Sequence, residues 1–175
     1  LTSTQAQTST SAEIGVMTMA QVDALVSASP LVPDLAGTGI ETTSAAQGVN
    51  FDLTGSGHAS TMGWTTANEG LLALDLNGNG RIDNGTELFG VGTQLANGQR
   101  AGNGYAALAQ YDTNGDGRID THDAVFNKLS VWVDANHDGA TEAGELKSLA
   151  QLGITSLDLH DQVSGAASHG NIIAE

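Results

Sequence analysis

The stretch DTNGDGRIDTHD, Asp112–Asp123, sets oxygen-bearing side chains at its first, third, fifth, ninth and twelfth residues around a tight glycine turn. In water these carboxylates repel one another, so their crowding calls for a compensating cation. Alternation aims Asp112, Asn114 and Asp116 inward, Gly117 permits the reversal, and the carbonyl of Arg118 follows. Asp120 supplies a side chain or a bound water, and Asp123 closes the shell. This is the twelve-residue pattern of an EF-hand-type calcium loop.

Two more stretches fit the same template. DANHDGATEAGE carries Asp134, Asn136, Asp138, the Ala140 carbonyl, Glu142 and Glu145. DLNGNGRIDNGTE carries Asp75, Asn77, Asn79, the Arg81 carbonyl, Asp83 and Glu87. In this last loop Thr86 holds the twelfth place and the acid falls one residue late, which implies an enlarged or weaker site. Calcium takes six to eight hard oxygen ligands in irregular geometry, whereas zinc asks for Cys or His. The chain has no cysteine, and His122 and His137 fall between ligand positions, so they read as exposed loop residues. DLAGTGIE (34–41) and DLTGSGHAS (52–60) look like eroded copies, too poor in charge to hold calcium well.

Twenty acidic residues face five basic ones, a net charge of −15. That balance argues against nucleic acid or an anionic membrane as partner. Eleven of the twenty acids sit at ligand positions, and three bound Ca2+ would bring −15 to −9. Folding is therefore expected to couple to calcium binding. No apolar run approaches the length of a membrane span.

Around the loops the expected architecture is α+β: a small loop-rich domain built on EF-hand-like calcium loops with short helices and strands. Residues 1–12 read as a flexible leader, 13–160 as the module and 161–175 as a mobile tail. Thr18 and Gln21 have capping-box spacing ahead of an apolar stripe at Val22, Leu25 and Val26, which predicts a short helix before Pro30. Strands are predicted at 70–76, 130–133 and 154–159, and helices at 104–111, 123–129 and 144–152, the last stopped by Gly153. Leu74, Ile82, Phe89, Ile119, Phe126, Trp132 and Leu149 are candidate core residues. A chain that opens on Leu1 reads as an excised fragment, expected to be monomeric and flanked by other domains of its parent.

From Pro30 to about Leu159 the chain resembles the self-processing module of repeat-in-toxin (RTX) proteins of the FrpC kind. The resemblance rests on PLVPDLAGTGIET, GVNFDLTGSG, GWTTANEGLLALDLNGNGRIDNGTELFG, NGYAALAQYDTNGDGRIDTHDAVF and LSVWVDANHDGATEAGELKSLAQLGI. It implies a secreted bacterial protein whose module folds on meeting calcium outside the cell. The module then cuts an Asp-Pro bond at its own N-terminal edge through a cyclic anhydride, which water or a lysine amine opens. Here Ser29 precedes Pro30, and no Asp-Pro occurs in the chain. Serine cannot form the anhydride, so the resemblance implies the scaffold rather than the cleavage, and enzymatic activity stays an open question. A third reading is a cell-wall glycosidase, with Glu69 beside Trp64 and Glu41 as the carboxyl pair. The plainer account makes Glu69 a turn cap and Glu41 a surface acid.

Overall fold

The computed structural model describes residues 30–160 together with 167–168 and 171–172. The expected leader at 1–12 and helix after Thr18 lie outside the described residues, as does Ser29. Of the expected mobile tail only a two-residue hairpin is described, β8 (Ala167–Ser168) against β9 (Asn171–Ile172).

Among the described residues the regular structure is mostly short antiparallel strands, and the expected α+β class with helix-flanked EF-hand loops is wrong. Among the described residues there is one α-helix, α1 (Gly104–Ala109), capped by the Asn103 side chain on the Ala106 N–H. The predicted helix at 123–129 shrinks to a 3-10 turn at Phe126–Lys128. The predicted helix at 144–152 is strand β6 (Leu146–Ser148) followed by turns. Helices this short are marginal alone, and a neighbouring strand with unpaired backbone groups outweighs propensity. That neighbour is β5 (Ser130–Trp132), which pairs on its other side with β3 (Leu71–Ala73), giving the order β3-β5-β6.

The register Leu71↔Trp132 and Leu72↔Val131 makes this sheet the wall between two cores. Successive strand residues face opposite ways. Leu72 and Val131 join Phe89, Leu108, Ile119, Phe126, Leu129 and Leu149 on one face. Leu71, Ala73 and Trp132 join Val49, Phe51, Trp64, Ile82 and Leu88 on the other. All seven candidate core residues are buried. Phe51, Trp64 and Trp132 pack mutually with ring centroids 5.2–5.6 Å apart.

Two pairings went unforeseen. A hairpin joins β1 (Val49–Phe51) to β2 (Ser60–Met62), where no strand is predicted. Strand β4 (Arg118–Asp120) forms inside the second acidic loop and pairs with β7 (Ser156–Asp158). The predicted strands at 70–76, 130–133 and 154–159 are present as the shorter β3, β5 and β7.

Candidate functional site

The three acidic loops share one hydrogen-bond plan although different elements flank them. Strand β3 leads into 75–87, α1 into 112–123 and β5 into 134–145. The first Asp of each ties the turn together. Asp75 accepts from the N–H of Gly78 and Gly80 (2.7 and 2.8 Å). Asp112 accepts from Gly115 and Gly117 (2.8 and 3.0 Å), and Asp134 from Asp138 and Gly139 (3.3 and 2.9 Å). The sixth residues, Gly80, Gly117 and Gly139, have φ of 78°, 80° and 73°, a region that glycine enters without cost.

The last acid of each loop is buried and clamps the loop shut. Glu87 accepts from the N–H of Leu76 and Asp83 (3.1 and 2.8 Å). Asp123 accepts from the Thr113 N–H and hydroxyl and from the Asp120 N–H (2.7, 2.8 and 3.2 Å). Glu145 accepts from Ala135 and Glu142 N–H (both 3.0 Å) and from the Trp132 indole (3.2 Å). In every case the second and ninth residues of the loop are donors, so Glu87 fills the same role as Asp123 and Glu145 despite its extra residue. Each clamp uses two or three acceptor sites, and a carboxylate offers about four.

Arg81 and Arg118 belong to these loops with exposed side chains, and among the described residues neither forms an ion pair with a loop acid. The third-position amides, and Asn79 at the fifth place of its loop, turn their N–H groups onto neighbouring carboxylates: Asn77 and Asn79 onto Asp83 (2.9 and 2.8 Å), Asn114 onto Asp116 (2.8 Å) and Asn136 onto Asp138 and Glu142 (3.0 and 2.9 Å). Among the described residues the ion pairs are His122–Asp120 and His160–Asp158, and neither involves Lys or Arg. The donor set is hard oxygen throughout, which suits calcium and not zinc. Among the described residues no group of three or more His, Cys, Asp or Glu side chains is arranged to hold a metal ion. The Arg81, Arg118 and Ala140 carbonyls follow the turns as the seventh residues of their loops.

The histidines divide. His122 is exposed and bonds Asp120 at 2.7 Å; that bond, with the neighbouring carboxylates, raises its pKa. His137 is half-buried rather than exposed, at φ 58° where two other loops have glycine, and its Nε2 is shielded without a partner.

The eroded loops keep the turn and fill it from within. Asp34 accepts from Ala36, Gly37 and Gly39 N–H (3.1, 2.8 and 2.7 Å). Asp52 accepts from Ser56 and Gly57 N–H (3.0 and 2.6 Å) and from the Thr54 and Ser56 hydroxyls (both 3.3 Å). The Gly39 N–H, with help from Gly37 and Ala36, lowers the Asp34 pKa. Burial pushes Asp52 upward, but its backbone and hydroxyl donors outweigh that and lower it.

Glu69 is buried, with its Oε1 lacking a hydrogen-bond partner among the described residues. It is 0% exposed, and its Oε2 caps a turn by accepting from the Thr66 N–H (3.1 Å) and hydroxyl. Glu41 is an exposed surface acid. Next to Pro30 lies a cavity of about 500 Å3 walled by Leu31, Val32, Tyr105, Leu108 and Leu157, with Asp34 and Asp158 on its lining.

Three contacts were not anticipated from the sequence: Trp132 to Glu145, Thr113 to Asp123, and Thr141 to Ile82. Only the last had a visible signal, because both residues hold the eighth place of their loops.

Over 149 residues the chain is 50% identical to iron-regulated protein FrpA of Neisseria meningitidis serogroup C, a match covering 83% of this chain and 13% of that protein. The chain therefore corresponds to a small part of a much longer relative. The SPM domain family matches residues 31–175, which takes in all three acidic loops and begins one residue after Pro30. The chain belongs to the SPM domain family.

Proposed function

We propose that this chain is a calcium-binding module of a larger, exported RTX-like bacterial protein, and that calcium completes its folding. One observation carries the reading: three loops share the same Asp turn and buried-acid clamp, yet no Lys or Arg ion pair neutralises any of them among the described residues. The ligands would be Asp75, Asn77, Asn79, Asp83 and Glu87 with the Arg81 carbonyl, Asp112, Asn114, Asp116, Asp120 and Asp123 with the Arg118 carbonyl, and Asp134, Asn136, Asp138, Glu142 and Glu145 with the Ala140 carbonyl. A bound divalent ion supplies the positive charge that lets these oxygens stay close. The protein's own part is to hold the turns with glycine and the first Asp, and to keep the last acid anchored by backbone N–H groups. Loops 34–41 and 52–60 stay metal-free, because Ala36, Thr38, Thr54 and Ser56 stand at their third and fifth places and leave too few charged ligands.

In a cytosol poor in calcium the loops would repel and the two small cores would have to offset that alone. Outside the cell, calcium would order the module. The FrpA relationship and the absence of a long apolar helix among the described residues agree with an exported protein. Thermal melts by circular dichroism, in chelator and in millimolar calcium, test the reading. Calorimetry should count about three ions, and identical melts with no binding heat would refute it.

A second reading, a self-processing module in inactive form, is favoured by the family match starting beside Pro30. A serine at position 29 has no carboxyl to attack its own peptide carbonyl, so this reading expects no cleavage before Pro30.

A further inference from the structure

Loops 75–87 and 134–145 touch at one point. The Ile82 N–H donates to the Thr141 hydroxyl oxygen at 2.9 Å, and that hydroxyl lies 3.4 Å from the Ile82 carbonyl as donor. The contact joins residues 59 positions apart, and both are buried, at 3% and 7% exposure. Each holds the eighth place of its loop, between a carbonyl (Arg81, Ala140) and a carboxylate (Asp83, Glu142) that the calcium reading makes ligands. Those two carboxylate residues give their N–H groups to the clamps, Asp83 to Glu87 and Glu142 to Glu145.

The same two loops share further walls. Ile82 and Trp132 lie in one core, and the Trp132 indole donates to Glu145. Loop 134–145 packs Gly139 against Val49 of β1, while loop 75–87 sends the Gly85 N–H to the Asp52 carbonyl just after that strand (2.8 Å). The loop at 112–123 stands apart. Its eighth residue, Ile119, pairs with Leu157 of β7 and sits in the opposite core.

We infer that loops 75–87 and 134–145 form one coupled cation-binding unit, joined through Thr141 and the Ile82 peptide, whereas loop 112–123 binds independently. The inference rests on the calcium reading and specifies how its sites communicate. An ion drawing together the seventh and ninth residues of one loop fixes the eighth between them. Through the hydroxyl it fixes the eighth residue of the partner loop as well, so the second ion meets a loop already ordered. Thr141 is here a positioning residue, not a ligand.

Calcium titration of the full chain by calorimetry, with Trp132 fluorescence followed in parallel in a Trp64→Phe background, tests this. Two ions should bind in a cooperative phase and one in a simple phase. Thr141→Val removes the hydroxyl while keeping the shape, and should weaken the second ion of the pair by roughly 5–150-fold, the usual span of site coupling. Thr141→Ser should restore it, and the simple phase should not change. Should Thr141→Val fail to fold, Asp75→Asn decides: coupling requires weaker calcium-dependent change at Trp132 with loop 112–123 unaffected. Binding of three independent ions, or a cooperative phase unaltered by both variants, overturns the inference but leaves calcium binding standing. No binding heat in the unsubstituted chain overturns the calcium reading itself, and the coupling with it.

Discussion

Glu145→Gln is the sharpest probe of the clamp, because it keeps the side chain's shape and removes one acceptor and the charge. In the native chain Oε2 serves two donors, the Glu142 N–H and the Trp132 indole, and Oε1 serves the Ala135 N–H. A glutamine does best with its oxygen on the two-donor side, which turns its NH2 toward Ala135 N–H. One charge-assisted bond worth about 1.5–3 kcal/mol is then lost. The other two fall to neutral strength, a further loss of about 1 kcal/mol each before relaxation. Because bonds in one network are not additive, the net cost is taken as about 3 kcal/mol. For a domain of this size that lowers the midpoint by roughly 10 °C. Thermal melts by circular dichroism in chelator isolate the clamp, and melts in calcium add the loss of a ligand. Glu41→Gln, at an exposed site, serves as the control. If Glu145→Gln melts within about 2 °C of the parent under both conditions, the buried acid is not the loop's anchor and the reasoning fails.

Three further outcomes follow from the same geometry. His137→Gly should stabilise the chain by about 1 kcal/mol in chemical denaturation, since φ of 58° costs a side-chain-bearing residue what glycine does not pay; a lower midpoint would show that the ring's packing matters more. Ser29→Asp, which creates the Asp-Pro sequence, should give two bands on a denaturing gel when calcium is added, whereas a persistently intact chain counts against the self-processing scaffold. The third concerns acid. Asp34 and Asp52 have depressed pKa values, so their stabilisation is present above the ordinary carboxylate value of 3.8 and is lost as pH falls through the lower folded values. Asp34→Asn should therefore destabilise at neutral pH and make little difference at the acid end of the unfolding curve; an equal effect at both would refute the assignment.

Much of the site was readable because its determinants are local. A first Asp bonding N–H groups three to five residues on, and a glycine at positive φ, are properties of a few consecutive residues, so spacing alone located all three loops and both eroded copies. The clamp by Asp123 was half-readable: its position was clear, but its burial and the Thr113 donors were not. Glu87 falls one residue late, and its hydrogen bonds to the Leu76 and Asp83 N–H groups close the loop around the extra residue, as an enlarged loop requires. The flanking elements were the main error. GELKSLAQL has helix-forming residues, yet β5 presents an unpaired edge after joining β3, and pairing Trp132 with Leu146 and Ser130 with Ser148 satisfies backbone groups that a short isolated helix cannot.

By itself the sequence determined where charge is crowded, which residues turn the chain, and which apolar side chains must leave water, because each of these is set by neighbours within about a dozen residues. Only the tertiary structure decided that β6 is a strand, that one sheet divides two cores, and that Thr141 reaches Ile82 across 59 residues. Those outcomes depend on which distant backbone groups and surfaces meet, and the free energy of meeting exceeds the small local preferences that a linear reading can weigh.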